Sequence, residues 1–147
     1  MSKTYYGKPL IVTYSGGKDS DVLLYLAESC LKNDDYEVLN SHTTVDAPET
    51  VYHIRETFKR LNSKGVKATT IYPKDKNGEP ITMWNLIPRK QIPPTRLQRY
   101  CCAVLKEVST PKRLAALGVR EAESTGRQGR DTFGTRGGRS KWQYFFH

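Results

Sequence analysis

A short apolar run that ends at two glycines is the feature that most constrains how this chain can fold. The run LIVTY at residues 10–14 is rich in β-branched side chains, as is typical of a strand buried on both faces. The loop SGGKDS at residues 15–20 follows, and Asp19 or Ser20 can cap a helix that begins there. The sequence therefore predicts a buried strand, a tight loop and a helix in direct succession. The apolar stripe predicted for the helix consists of Val22, Leu23, Leu26, Ala27 and Cys30.

The composition of this loop is typical of a phosphate-binding site. A helix start offers N–H groups that lack intrahelical acceptors, and the helix dipole adds partial positive charge. Gly16 and Gly17 let oxygens approach the backbone, and Lys18 adds a full positive charge. A branched side chain at Gly17 is expected to crowd the phosphate or strain the backbone. The alternative is a plain Gly-Gly turn with a solvated Lys18.

Two better-known phosphate loops are excluded by the spacing. The Walker pattern needs Ser or Thr after its lysine, where this chain has Asp19, and an earlier glycine, where it has Val12. The dinucleotide fingerprint G-x-G-x-x-G does not follow this strand either.

Strands and helices continue to alternate beyond the loop. Residues 37–42 and 66–72 are predicted strands, and Asp46, three residues before Glu49, can cap the helix between them. That helix carries apolar residues at helical spacing: Val51, Ile54, Phe58 and Leu61. Three strands and two helices within about sixty residues predict a parallel sheet with right-handed crossovers. Ligands of such sheets bind beyond the carboxyl ends of the strands.

The second half of the chain is less regular. The sequence predicts a short helix over residues 81–87 that ends at Pro88, a helix that follows Cys102 and runs through Val108, and a fourth strand over residues 113–119. The aromatic residues 142–147 show no strand or helix pattern. No internal repeat is present.

Composition limits the class of protein. A chain of 147 residues with 37% hydrophobic and 27% charged residues suits a soluble globular protein. Neither a basic-then-apolar leader nor an apolar run near the ~20 residues of a membrane span is present, so a cytoplasmic protein is expected. The net charge of +9 favours anionic partners such as nucleotides or nucleic acid. Three cysteines, two of them adjacent, do not form a disulfide framework.

The chain divides by composition into a nucleotide-binding domain at residues 1–125 and a basic, Gly/Arg-rich segment at residues 126–147. The second segment has five basic side chains and one acidic, a net charge of +4, and its glycines predict flexibility. It is expected either to add salt-dependent affinity for nucleic acid or to be a solvated, disordered end.

Four blocks in order resemble the phosphoadenosine phosphosulfate (PAPS) reductase-like family of the adenine-nucleotide α-hydrolase superfamily, whose members carry a PP-loop. SGGKDS is similar to its pyrophosphate loop, and Asp46 with PET at 48–50 is similar to its D-x-P-E-T signature. Residues 94–106 resemble its arginine- and cysteine-bearing segment, and residues 118–127 its G-x-R-x-x-x-S-x-x-R element. The RYCC variant at 99–102 looks closest to members linked to DNA phosphorothioation. The resemblance implies a doubly wound parallel sheet in a Rossmann-like, HUP-type three-layer α/β sandwich of one domain.

The resemblance also implies roles for individual residues. It implies catalytic roles for Lys18, Asp46 and Arg120, with Asp46 near the nucleoside or Mg²⁺; a plain helix cap is the alternative for Asp46. The nucleotide-binding positions that it implies are Ser15, Gly16, Gly17, Lys18, Asp19, Ser20, Arg96, Arg99, Ser124 and Arg127. Forked guanidinium donors suit phosphate or sulfate, although each arginine taken singly is equally compatible with a solvated surface position.

The cysteines depart from the family pattern. Cys101 and Cys102 are candidate partial iron–sulfur ligands, but no cysteine follows them and no C-x-x-C is present. Because a cluster generally needs four thiolates and Cys30 is expected to pack in the first helix, this chain alone is not expected to hold one. The chain is either a truncated member or a short natural variant complemented by a partner protein.

The function that the resemblance implies is cleavage of the α–β phosphoanhydride of ATP. Pyrophosphate would be released and an acceptor adenylated in a sulfur-transfer pathway such as DNA phosphorothioation, with DNA and a sulfur-donor protein as possible partners. The alternatives are reduction of an adenylyl sulfate (PAPS or its unphosphorylated form) and a nucleotide- or nucleic-acid-binding module without complete catalysis.

Overall fold

A six-stranded sheet forms the centre of the computed structural model, which describes residues 7–95, 97–107 and 114–118 and the backbone of residues 133–135 and 143–145. The strands are β1 (Leu10–Thr13), β2 (Tyr36–Ser41), β3 (Ala68–Ile71), β4 (Ala115–Ala116), β5 (Phe133–Thr135) and β6 (Gln143–Phe145). Their order is β3-β2-β1-β4-β6-β5, and every neighbouring pair is parallel except β5 and β6. The predicted doubly wound α/β fold is confirmed.

The strand order reverses between β1 and β4. The chain first moves outward from β1 to β2 and β3, then returns to the opposite side of β1. Ile11 and Val12 pair with Ala115 and Ala116, and the Thr13 hydroxyl donates to the Ala116 carbonyl at 3.0 Å. Because the strands diverge there into different connections, the carboxyl ends of β1 and β4 border the crevice where open α/β sheets bind ligands.

The helices are α1 (Lys18–Cys30), α2 (Pro48–Ser63) and α3 (Met83–Lys90), with a π-helical turn at Cys102–Glu107. Both crossovers, β1–α1–β2 and β2–α2–β3, run in the same direction, which places α1 and α2 on one face of the sheet. Arg60 of α2 joins them by donating to both carboxylate oxygens of Glu28, at 2.8 and 3.2 Å. This bond lowers the pKa of Glu28.

The core lies between α1, α2 and the sheet. Ile11, Val12 and Val38 are fully buried, as expected for central strands that are covered on both faces. The apolar stripe predicted for α2 is confirmed at Ile54, Phe58 and Leu61, which are all buried. Among the described residues, no helix combines the length and the apolar character that crossing a bilayer requires.

Only part of the apolar stripe predicted for α1 is confirmed, at the buried Ala27 and at Leu23, which is partly buried and packs against the core. The buried residues of α1 are Ser20, Leu24 and Ala27, whereas Val22 is 60% exposed and Cys30 is also exposed. Positions 20, 24 and 27 are spaced by four and three residues and therefore share one helix face. The predicted stripe combined residues of this face with residues of the adjacent, exposed face. Cys30 was expected to pack into the core, but it lies on the exposed face.

The predicted caps of α1 and α2 are also wrong. The N-cap of α1 is Gly17, and that of α2 is Ala47, which makes no side-chain cap bond. Asp46 instead accepts from the Thr43 N–H at 3.3 Å, because the chain turns back sharply at Thr44, whose φ is 68°. Pro48 is the first residue of α2, as its fixed φ favours.

Three later elements differ from the predictions. α3 begins two residues later than predicted, at the capping box between Thr82 and Asn85, and it continues through Pro88 to Lys90. The helix expected after Cys102 is a π-helical turn, and β4 has two residues where seven were predicted.

The absence of a strand pattern in residues 142–147 was misleading, because Gln143–Phe145 pairs in parallel with β4. Two strands of the segment 126–147 thus belong to the sheet, and the rest of that segment lies outside the described residues. The domain boundary near residue 125 stays a prediction.

Candidate phosphate-binding site

The two glycines of the loop between β1 and α1 have different structural roles. Gly16 has a φ of 75°, and a Cβ there would lie 2.8 Å from Ile54 Cγ1 and 3.0 Å from Thr50 Cγ2. Gly17 has an extended φ of −99°, and a Cβ there would meet only Ser15 Oγ, at 3.7 Å. The fold therefore requires glycine at position 16, whereas at position 17 the missing side chain leaves open space at the start of α1.

Ser20 holds the loop backbone in shape. Its buried hydroxyl donates to the Gly17 carbonyl at 2.7 Å and accepts from the Gly17 N–H at 3.1 Å. The Ser15 hydroxyl donates to the Ser20 hydroxyl oxygen at 3.3 Å. Ser20 is the third residue of α1 and is not its N-cap. Its hydroxyl fixes the loop by binding both backbone groups of Gly17, the residue before the helix.

The start of α1 offers the donors of an anion site. Lys18 and Asp19 are its first two residues, and its first intrahelical bond runs from the Asp21 N–H to the Gly17 carbonyl at 3.0 Å. N–H groups that precede this bond have no acceptor within a helix. The Lys18 side chain is exposed beside them, so positive charge and backbone donors converge at the carboxyl end of β1.

Contacts that the sequence did not reveal hold both ends of the loop. The Asn40 amide donates to the Tyr14 carbonyl at 2.8 Å from inside the sheet, where Asn40 is only 6% exposed. A polar side chain directly after the apolar Val38 and Leu39 of β2 was the signal that could have identified Asn40. The Tyr14 hydroxyl donates to Asp21 Oδ1 at 2.5 Å and lies 3.0 Å from His53 Nε2. Tyr14 and Asp21 thus connect the two sides of the loop.

Burial, together with the bond to Asp21, raises the pKa of Tyr14 to about 12. Between pH 10 and this value, the unfolded state loses the tyrosine proton before the folded state does. The stabilisation is therefore complete below pH 10 and is lost as the pH rises through 12, by up to about 3 kcal/mol. We expect the free energy of unfolding in urea to fall less between pH 9 and pH 11 in Tyr14→Phe than in the wild type. Equal pH dependence in the two proteins would contradict the raised pKa.

Gly118 brings the end of β4 against the first turn of α1. A Cβ on Gly118 would lie 2.8 Å from the Asp19 carbonyl oxygen and 3.3 Å from the Ser20 nitrogen. These are backbone atoms that cannot rotate away. Gly118, the first residue of the G-x-R element, therefore meets the glycine loop at the point where the strand order reverses, although the two are about one hundred residues apart in sequence.

Gly118→Ala is expected to push the first turn of α1 away from its position. We expect a loss of about 1–3 kcal/mol in the free energy of unfolding, as is typical of overpacking, together with weaker nucleotide binding. Gly65→Ala is the matched control, because Gly65 has a φ of 83° with no atom within 4 Å of the added Cβ and lies at the far end of α2. It should destabilise the fold without changing nucleotide affinity. The measurements are thermal unfolding and calorimetric titration, and equal affinity of both variants would contradict the expected effect.

Asp46 lies on the segment that follows β2, at the same edge of the sheet as the glycine loop. Its carboxylate is exposed, and Oδ2 accepts from the Thr43 N–H. The neighbouring Thr44 hydroxyl accepts from the Met83 N–H at 2.9 Å, which anchors this segment to the start of α3. Asp46 is therefore held by its own segment, and its carboxylate faces solvent rather than the first turn of α2.

The arginine- and cysteine-bearing segment is described only in part. Arg99 is exposed, and Cys101 and Cys102 are half-buried at the start of the π-helical turn. Among the described residues, no hydrogen bond or ion pair joins these three side chains to the glycine loop, and no group of three or more His, Cys, Asp or Glu residues is placed to hold a metal ion. Four predicted site residues lie outside the described residues: Arg96, Arg120, Ser124 and Arg127.

The comparison with known families agrees with this geometry. A family model described as the phosphoadenosine phosphosulfate reductase domain matches residues 9–143, a range that includes β1, the glycine loop, the Cys101–Cys102 pair and Gly118. None of the curated proteins compared with the chain matches it. Because the family model covers most of the chain, this protein belongs to the phosphoadenosine phosphosulfate reductase domain family, the adenine-nucleotide-related enzymes of the PP-loop superfamily.

Proposed function

We propose that this protein binds ATP in the crevice between β1 and β4 and cleaves its α–β phosphoanhydride. An acceptor attacks the α-phosphorus, the bond to the bridging oxygen breaks, and pyrophosphate leaves with the electron pair. The observation that supports this proposal best is the position of the glycine loop and the start of α1 at the strand-order reversal, closed on one side by Gly118. Open α/β sheets bind ligands at this place.

The roles of the loop residues follow from where charge develops. Backbone N–H groups at the start of α1 would hold the phosphates in both the ground state and the transition state. Lys18, exposed at the first position of α1, would meet the negative charge that builds up on the leaving pyrophosphate. The Ser15 and Ser20 hydroxyls keep the loop in the conformation that presents these groups.

Asp46 fits a supporting role toward Mg²⁺. Magnesium in nucleotide sites usually binds one or two carboxylates together with substrate phosphates and waters. The Asp46 carboxylate is exposed, and among the described residues only its Oδ2 accepts a hydrogen bond, from the Thr43 N–H, which leaves Oδ1 for an ion. When bound, the ion would neutralise phosphate charge.

Arginines beyond the loop would complete the nucleotide site. Arg99 is exposed on the described part of its segment. Forked guanidinium donors would bind phosphate oxygens from Arg96, Arg99, Arg120 and Arg127, and the Ser124 hydroxyl would add a donor.

We place the reaction in a sulfur-transfer pathway such as DNA phosphorothioation. A net charge of +9, with +4 in the segment 126–147, would attract DNA or another nucleic acid in a salt-dependent manner. Cys101 and Cys102 supply two neighbouring thiols where a [4Fe–4S] cluster needs four thiolates. The residues of this chain therefore do not fit a complete cluster, and a sulfur-donor protein would supply the sulfur chemistry.

The test is to identify the bond that breaks. The purified chain is incubated with ATP and Mg²⁺, with and without DNA as the candidate acceptor, and pyrophosphate is quantified. A β,γ-imido analogue of ATP should still be cleaved, whereas an α,β-methylene analogue should bind without being cleaved. Sulfite release from an adenylyl sulfate in the presence of a thiol reductant would instead support the reductase alternative. Binding of ATP without any turnover would indicate a nucleotide-binding module.

A further inference from the structure

We propose that Tyr14 is a positioning residue that keeps the carboxylate of Asp21 away from Lys18. This inference rests on the proposed binding of nucleotide phosphates at the glycine loop. The four side chains concerned, which we call the Tyr14 cluster, are those of Tyr14, Asp21, His53 and Thr57. No part of the proposed cleavage reaction uses them.

The Tyr14 cluster joins the two ends of the glycine loop through a side-chain hydrogen bond. Tyr14 directly precedes residues 15–20 and Asp21 directly follows them, and the bond between their side chains is 2.5 Å long. Tyr14 is only 2% exposed, and its backbone is held by Leu39 and Asn40 of β2. The Asp21 side chain is 45% exposed. Tyr14 is therefore the fixed partner, and the position of the Asp21 carboxylate depends on it.

The hydrogens of the Tyr14 cluster can be assigned from its geometry. An ionised carboxylate only accepts, so the hydroxyl hydrogen of Tyr14 goes to Asp21. His53 Nε2 lies 3.0 Å from the Tyr14 oxygen and 3.5 Å from Asp21 Oδ1, so it must carry a hydrogen to bind either one. Thr57 Oγ1 lies 3.5 Å from the same Tyr14 oxygen. Two residues of α2, His53 and Thr57, thus lie against the Tyr14 hydroxyl.

The position of Asp21 matters because of Lys18. The two residues are three positions apart on α1, a spacing at which opposite charges on a helix can pair. A carboxylate released from Tyr14 would be able to pair with the Lys18 ammonium. Lys18 would then be less available to phosphate, and a negative charge would lie closer to the anion site. Tyr14 prevents this by keeping the carboxylate occupied in the 2.5 Å hydrogen bond.

The test measures affinity for inorganic pyrophosphate and for ATP by calorimetric titration of the full chain. Tyr14→Phe should bind both about two- to fivefold more weakly, the size typical of an exposed ion pair on a helix that the ligand must displace. The double variant Tyr14→Phe/Asp21→Asn should recover most of this affinity, because a neutral amide does not hold Lys18 by charge. A merely structural Tyr14 cluster predicts the opposite result, since removing a second partner would not restore binding.

Two further variants keep the outcomes distinct. Tyr25→Phe makes the same chemical change at a 69%-exposed tyrosine of α1 and should leave affinity unchanged. Asp21→Asn alone should bind at least as tightly as the wild type. If the wild type binds the probes, three results would each overturn the positioning role. They are a Tyr14→Phe variant that binds as tightly as the wild type, a double variant that binds as weakly as Tyr14→Phe, and an Asp21→Asn variant that binds as weakly as Tyr14→Phe. Failure of the wild type to bind either probe would instead refute the proposed function on which it rests.

Discussion

Lys18→Ala is expected to lower the turnover of ATP about a hundredfold and to change nucleotide affinity much less. The backbone donors at the start of α1 are unaffected by this change, so ground-state binding of the phosphates remains. The ammonium group is needed most when pyrophosphate departs and negative charge accumulates on it. Single-turnover rates of pyrophosphate release, compared with dissociation constants from titration, separate the two effects.

Lys32→Ala is the matched control for this experiment. Lys32 is exposed like Lys18 but lies just beyond the opposite end of α1, so its loss changes the net charge equally without touching the loop. Its turnover should equal that of the wild type. If Lys18→Ala also retains full turnover, Lys18 is a solvated side chain and the loop is a plain turn.

Local patterns predicted the part of the fold that is built from local interactions. Each of these patterns lies within a single short stretch of the sequence: the β-branched run before the loop, the two glycines, and the stripe of Ile54, Phe58 and Leu61. The structure confirms the parallel arrangement that they imply. β6 could not be predicted in this way, because its residues pair with residues of β4 that lie about 29 positions earlier, and pairing at such a separation leaves no periodic signal.

The candidate site was predictable only where its residues are consecutive. Residues 15–20 could be recognised from their own types and spacing. The supports of the loop could not, because each comes from another element: Asn40 from β2, His53 from α2, and Gly118 from the end of β4. Asp46 was predicted as a helix cap on spacing alone, but the turn at Thr44 directs its carboxylate to the Thr43 N–H instead of to the first turn of α2.

The two glycines of the loop should respond in opposite ways to alanine. Gly16→Ala combines a left-handed backbone with a 2.8 Å contact to the buried Ile54 side chain, so it should lower the free energy of unfolding by about 2–4 kcal/mol. Gly17→Ala introduces neither problem and should unfold at nearly the wild-type temperature. The expectation that a side chain at Gly17 strains the backbone is therefore wrong for the protein itself, and only crowding by a phosphate remains as a reason for glycine there.

Gly17→Ala thus tests for the ligand rather than for the fold. If phosphate oxygens approach the backbone at the start of α1, the added methyl group occupies their place, and affinity for pyrophosphate should fall about tenfold or more. Thermal unfolding of the same sample shows whether the loss is confined to binding. Gly65→Ala, whose added Cβ has no atom within 4 Å, measures the backbone strain that Gly16→Ala also carries. A Gly17→Ala protein that binds pyrophosphate as tightly as the wild type would mean that no phosphate contacts this part of the loop. Because the structure leaves open space on the protein side of Gly17, such a result could not be attributed to a compensating shift of the fold.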